Sequence, residues 1–201
     1  MKTISHGTTV FLLLPLIMCF AAVQAPAQQG KPFKWSMSLQ NVKTSEVVDF
    51  SRPVKSQTGE QFRLMVQPTV KCFFYIIAES PNGDDVSILY AGSLKKDEVW
   101  LSEVLELTNP QGSESLFVIT SQDEQKVLAQ RIAALNESNS ATQKRALMNE
   151  IFRIRSDASK FKEAPEKPVL MGGASRGSAE KSQGVEFSGV GTYVKTISIE
   201  H

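Results

Sequence analysis

The chain has 201 residues, with 22 lysines and arginines against 21 aspartates and glutamates, a formal net charge of +1. That balance excludes long-range steering toward nucleic acid or an anionic membrane. Two histidines and two cysteines leave little material for a metal centre or for a nucleophile relayed through imidazole.

Residues 1–27 predict a secretory signal peptide. Lys2 and His6 make a short polar start, Val10 to Val23 is an uncharged apolar run of 14 residues, and Ala25-Pro26-Ala27 offers small residues for cleavage. A spanning helix needs about 20 apolar residues, and this run is shorter and contains Pro15. A lipidated Cys19 would call for a small residue before it, where the chain has Met18. Lys2 is the only charge before position 28, so the mature chain would carry 21 basic and 21 acidic residues. The mature product, residues 28–201, is then one domain, exported and either periplasmic or extracellular. Its one remaining cysteine, Cys72, can form no internal disulfide. It opens the most apolar strand, where a structural thiol is expected.

The first strand is Phe33, Trp35, Met37 and Leu39 alternating with Lys34, Ser36, Ser38 and Gln40. That period of two buries one face. Residues 42–59 predict an irregular connection with a short strand near Val47-Val48. Phe62, Leu64 and Val66 alternate again, and Pro68 closes the run. Cys72 to Ala78 is apolar on both faces, which suits a central strand covered on each side. Pro81-Asn82-Gly83 predicts a tight hairpin turn into Val86, Ile88 and Tyr90. Short strands follow at Val99–Leu101 and from Leu105. A turn at Asn109-Pro110-Gln111-Gly112 leads to a second two-sided apolar strand, Leu116–Ile119.

After Ser121 the period changes. Ser121-Gln122-Asp123-Glu124 has the form of a capping box, so a helix is expected from about Gln122 to about Leu135. A second box, Ser140 to Gln143, precedes Leu147, Ile151, Ile154, Ala158 and Phe161 on one helical face. Pro165 and Pro168 should end that helix near Lys162. The two make an αα-hairpin over about 122–162. Residues 172–191 hold six glycines in twenty positions and predict a long mobile loop. Without the lysine and hydroxyl spacing of a phosphate loop, anion binding there has no support. Tyr193 to Ile199 alternates as a last strand, expected beside Leu116–Ile119.

Several features of residues 62–121 resemble domain-of-unknown-function family 4384. They are the strand around Tyr75-Ile76-Ile77, the Asn82-Gly83 turn, Ile88-Leu89-Tyr90 with Ala91-Gly92, and Asn109–Glu114 leading into Leu116–Ile119. Ala91 departs from the proline often found after that aromatic. The resemblance covers about one third of the chain and implies a secreted or envelope-associated bacterial β-rich module, sometimes joined to caspase-like peptidases. It implies no activity and no catalytic residues.

Chemistry is sparse. With histidine only at positions 6 and 201, a histidine base has almost no candidate. Asp84-Asp85, Asp97-Glu98 and Asp123-Glu124 are adjacent acids, which a strand points apart and a turn leaves solvated. The Asn82–Asp85 turn lacks the spaced oxygen ligands of a calcium loop. No catalytic, metal or cofactor residues are assigned. Lys144, Arg145, Arg153, Arg155, Lys160 and Lys162 make the second helix basic. With the 172–191 loop it is the candidate binding surface, represented by Arg153, Arg155 and Arg176.

The sequence therefore predicts a mainly β fold: an antiparallel β-sandwich, Ig-like in general architecture, with the αα-hairpin inserted before the C-terminal strand. The expected function is a non-catalytic binding or structural module of the cell envelope. Its partner would be an envelope or extracellular protein or glycan, not nucleic acid. Alternatives are a hydrolase or accessory subunit of a secreted peptidase, and a protein held at the membrane surface by its basic helix.

Overall fold

The computed structural model describes residues 32–158, 167–172 and 181–201. The expected signal peptide, Cys19, Arg176 and the end of the second helix lie outside the described residues. Twelve strands and two helices follow in order: β1 Phe33–Asn41, β2 Val47–Val48, β3 Val54–Lys55, β4 Gln61–Pro68, β5 Cys72–Glu79, β6 Val86–Leu94, β7 Trp100–Leu101, β8 Leu105–Glu106 and β9 Ser113–Ser121. Then come α1 Lys126–Ser138, α2 Ala141–Ala158, β10 Lys167–Gly172, β11 Lys181–Gly189 and β12 Thr192–Glu200.

The strands form two sheets. One has the order β10-β11-β1-β4-β7, with β2 also on β1 and β8 on β4; the other has the order β3-β12-β9-β5-β6. Among the described strands, only β3 pairs in parallel, with β12. The alternating residues of β1 and β4 put Trp35, Met37, Leu39, Leu64 and Val66 into the space between the sheets. They meet Phe74, Ile76, Leu116, Val118 and Ile197 from the second sheet. The opposite face of the second sheet, with Tyr75, Ile77, Phe117 and Ile119, packs on Leu128, Ile132, Leu135, Leu147 and Ile151 of the helices. The second sheet is thus the middle layer of three. That is why β5 and β9 are apolar on both faces while β1 and β4 alternate.

The C-terminal strand pairs with β9 over the register Thr192↔Ser121 to Glu200↔Ser113. This is the place expected of it. Four details differ from the sequence reading. The helical hairpin precedes three strands, β10 to β12, instead of one. The span 172–191 is not one long loop, because β11 occupies Lys181–Gly189 and pairs with β1 and β10. Phe187 decides this: it is 3% exposed and lies among Trp35, Phe50 and Tyr193 at centroid distances of 5.7, 6.3 and 5.6 Å. Burying that ring outweighs the poor strand propensity of its glycine and serine neighbours.

The first capping box does not form. Ser121 is the last residue of β9, its hydroxyl accepts from Gln125 Nε2 at 3.0 Å, and the helix starts at Lys126 with no side-chain cap. The backbone N–H of Gln125 donates instead to the Tyr75 hydroxyl at 3.0 Å, so the middle sheet anchors the helix start. At the second helix the Ser140 hydroxyl does accept from the Gln143 N–H, at 3.3 Å. Finally, the β5–β6 turn runs over residues 80–85 and is wider than a two-residue Asn-Gly turn. Gly83 holds φ +69°, its N–H donates to the Ser80 carbonyl, and Ser80 N–H donates to the Asp85 carbonyl.

Candidate functional site

Strand β6 ends the middle sheet, with β5 on one side and no backbone partner on the other among the described residues. Its sequence, VSILYAGSL, has no charge and no proline. Of the other outer strands, β3, β7 and β8 have only two residues each. Along β6, Ser87, Ala91 and Ser93 are exposed and Ile88, Leu89 and Tyr90 half-buried. A register shift opposite Ile76/Ile77 leaves Leu89 as the extra residue of a bulge, which adds local twist. Tyr90 folds back along its own strand. Its hydroxyl donates to the Ser93 carbonyl at 3.2 Å, and its ring meets Trp100 at 5.2 Å, joining the rims of the two sheets. Gly92 permits this, since a Cβ there would sit 3.3 Å from the Tyr90 hydroxyl.

The ends of β6 carry opposite charge. Asp84 and Asp85 precede it, and Lys144 of α2 donates to the Asp84 carbonyl at 2.8 Å and to Asp85 Oδ1 at 3.0 Å. Lys95 and Lys96 follow it. The Lys95 N–H donates to Glu98 Oε2 at 2.7 Å, and Lys96 lies a loose 3.9 Å from Asp97.

Two of the basic residues of α2, Lys144 and Arg153, are committed to the chain itself. Arg153 gives Nε and Nη2 to Glu150 at 2.9 and 2.7 Å, and Nη1 to Asp157 at 3.1 Å. The Glu150 carboxylate, and then Asp157, raise the guanidinium's pKa above its ordinary value. With Lys144 tied to the β5–β6 turn, Arg155 is the exposed remainder of the predicted pair. The structure therefore does not bring Arg153 and Arg155 together as a free anion-binding patch.

One constellation has no signal in the sequence. The His201 side chain is fully buried, shares a hydrogen bond through Nδ1 with the Thr58 hydroxyl at 3.2 Å, and turns Nε2 to Glu114 Oε1 at 3.4 Å. The longer distance is beyond that of a well-formed hydrogen bond. Burial holds the Glu114 pKa above its ordinary value, an effect that His201 and the Thr108 N–H only partly offset. Hydroxyl, imidazole and carboxylate in line are the parts of a nucleophile relay. Two neighbouring backbone amides are engaged within the fold. Gly59 N–H donates to the Leu107 carbonyl at 2.7 Å, and Gly112 N–H to the His201 carbonyl at 3.0 Å. The cluster joins the residue after β12 to the loop before β4 and to the start of β9.

Cys72 is wholly buried, and desolvation pushes its thiol up to about 12, so it supplies no thiolate at neutral pH. Among the described residues no group of three or more His, Cys, Asp or Glu is placed to hold a metal, and no helix is long and apolar enough to cross a membrane. The class defined is a β-sandwich backed by a helical layer. Beyond that, no family model, no curated protein and no solved structure matches the chain.

Proposed function

We propose that the chain is an exported binding module of the bacterial cell envelope, without chemistry of its own, which captures an extended protein segment by adding it to strand β6. The observation that carries this is the β6 edge: nine residues, uncharged, proline-free and without a second backbone neighbour among the described residues. Strand addition supplies affinity through main-chain hydrogen bonds and specificity through alternate side chains. Here Ile88 and Ala91 would flank a guest on the helical side, and Tyr90 on the side of the first sheet. The resemblance to family 4384 supports the envelope assignment, and the apolar run after Lys2 supports export.

The test is capture from envelope extract by the mature chain, compared with a variant carrying Ser87→Lys and Ala91→Lys. Both positions are exposed, and edge lysines are the device by which natural sheets refuse further strands. Loss of the captured protein with an unchanged melting curve is expected; equal capture by both chains refutes the reading. An intact mass beginning after Ala27 is the expected product in the producing cell, and one beginning at Met1 refutes export. Turnover of a peptide or ester abolished by Thr58→Ala would place the protein among hydrolases instead.

A further inference from the structure

We infer that Asn82 is a site of spontaneous covalent ageing: its side-chain amide is lost through attack by the Gly83 nitrogen, at a rate set by the hydrogen bonds that close the β5–β6 turn. The inference is independent of what β6 binds. Asparagine is among the chemically labile residues, and this reaction is fastest where the next residue has no side chain to crowd its nitrogen. The chain has six asparagines, and only Asn82 is followed by glycine; the others precede valine, proline, glutamate or serine. Asn82 and Gly83 are both exposed, and the Asn82 side chain makes no hydrogen bond among the described residues. The step balances within the chain and water. The Gly83 nitrogen bonds to Asn82 Cγ and gives up its proton, the bond from Cγ to the amide nitrogen breaks, and ammonia leaves. Water then opens the cyclic imide. Cleavage of the new bond to Cγ gives aspartate, whereas cleavage of the original peptide bond gives isoaspartate, with the backbone rerouted through Cγ.

In the closed turn the attacking nitrogen is engaged. Gly83 N–H donates to the Ser80 carbonyl at 2.9 Å, Ser80 N–H to the Asp85 carbonyl at 3.0 Å, and Asp85 N–H to the Ser80 hydroxyl at 3.0 Å. Lys144 holds the turn from outside, through the Asp84 carbonyl and the Asp85 carboxylate. Attack therefore waits for the turn to open, and its rate follows the open fraction. Either product adds a negative charge beside Asp84 and Asp85. Isoaspartate also lengthens the backbone inside the turn, so Ser80 and Asp85 no longer meet in the same register.

The experiment holds the full chain at mildly alkaline pH and follows its peptide masses with time, with isoaspartyl methyltransferase labelling to separate the two products. Conversion at Asn82 ahead of every other asparagine is expected, and Asn82→Gln should remove the labelled product. Ser80→Ala deletes the bond to the Asp85 N–H without touching the reacting residues. It should speed conversion by about fivefold, the effect of one hydrogen bond on the open fraction. A circular-dichroism melt matching the parent's shows that the variant is folded. Earlier conversion at another asparagine overturns the site. Equal rates in the parent and in Ser80→Ala overturn the control of the reaction by the turn.

Discussion

Replacing Phe187 by alanine tests the placement of β11 directly. Phe187 is 3% exposed and faces Trp35, Phe50 and Tyr193 between the sheets. Lys195 also reaches its ring, with Nζ 6.0 Å from the centroid. Truncating a buried phenylalanine costs about 3–5 kcal/mol, the sum of lost transfer energy and the cavity left behind. The upper half of that range applies, because the surrounding rings are large and held by two sheets, so the cavity cannot collapse. For a domain of this size each kcal/mol lowers Tm by about 2–4 °C, which gives a drop of about 8–20 °C. Urea unfolding followed by circular dichroism and by tryptophan fluorescence measures it, with Ser188→Ala as the control on the same strand. A Phe187→Ala loss below about 1 kcal/mol, the range of ordinary surface changes, would show that residues 181–189 are not core.

Two buried hydroxyls should respond in opposite directions. Ser102 accepts the Leu64 N–H at 2.9 Å and donates to the Glu103 carbonyl at 2.6 Å, so Ser102→Ala strands a buried amide at a cost of about 1–3 kcal/mol by urea unfolding. The Thr120 hydroxyl is buried with no hydrogen-bond partner among the described residues, so Thr120→Val should leave stability unchanged or raised. Desolvation raises the Glu79 pKa, so the folded chain holds that proton more tightly than the unfolded one. Its contribution to stability is complete below the unfolded pKa and is lost as pH rises through the folded pKa. Glu79→Gln should therefore match the parent in acid and exceed it at neutral pH; the reverse order in melts at the two pH values would contradict the assignment. Cys72 should react with a thiol reagent only after denaturant unfolds the chain, and prompt labelling of the native protein would refute its burial.

Local patterns carried most of the fold. The alternation in β1 and β4 and the unbroken apolar runs of β5 and β9 are direct imprints of one-sided and two-sided burial, so strand positions and the layered core were readable from them. β11 was not, because only Val185 and Phe187 mark its inward face and glycines interrupt the period. The start of α1 was misplaced because Ser121 and Gln125 bond to each other and to Thr192, a contact 67 residues away from Gln125 that competes with local capping. The site was hidden for a related reason. That β6 is an edge depends on strand order, which no local pattern encodes. The meeting of Thr58 with His201 spans 143 positions. The basic stripe on α2 was visible in sequence, but so were the acids at i−3 and i+4, which pair with Arg153 along the helix.

The order in which the chain is made gives the sheet topology a further meaning. β1, the first described strand, takes β11 as one neighbour, and β9 takes β12, so residues 181–200 close both sheets. A ribosome-bound chain ending before position 181 lacks Phe187, Tyr193, Ile197 and Ile199, all four of them in the core between the sheets. It holds the helical hairpin and several strands, yet the sandwich stays open along one side. The core between the sheets is therefore completed only once residues 181–200 are in place. Residues 181–200 act as the clasp that shuts the domain, one strand on each sheet.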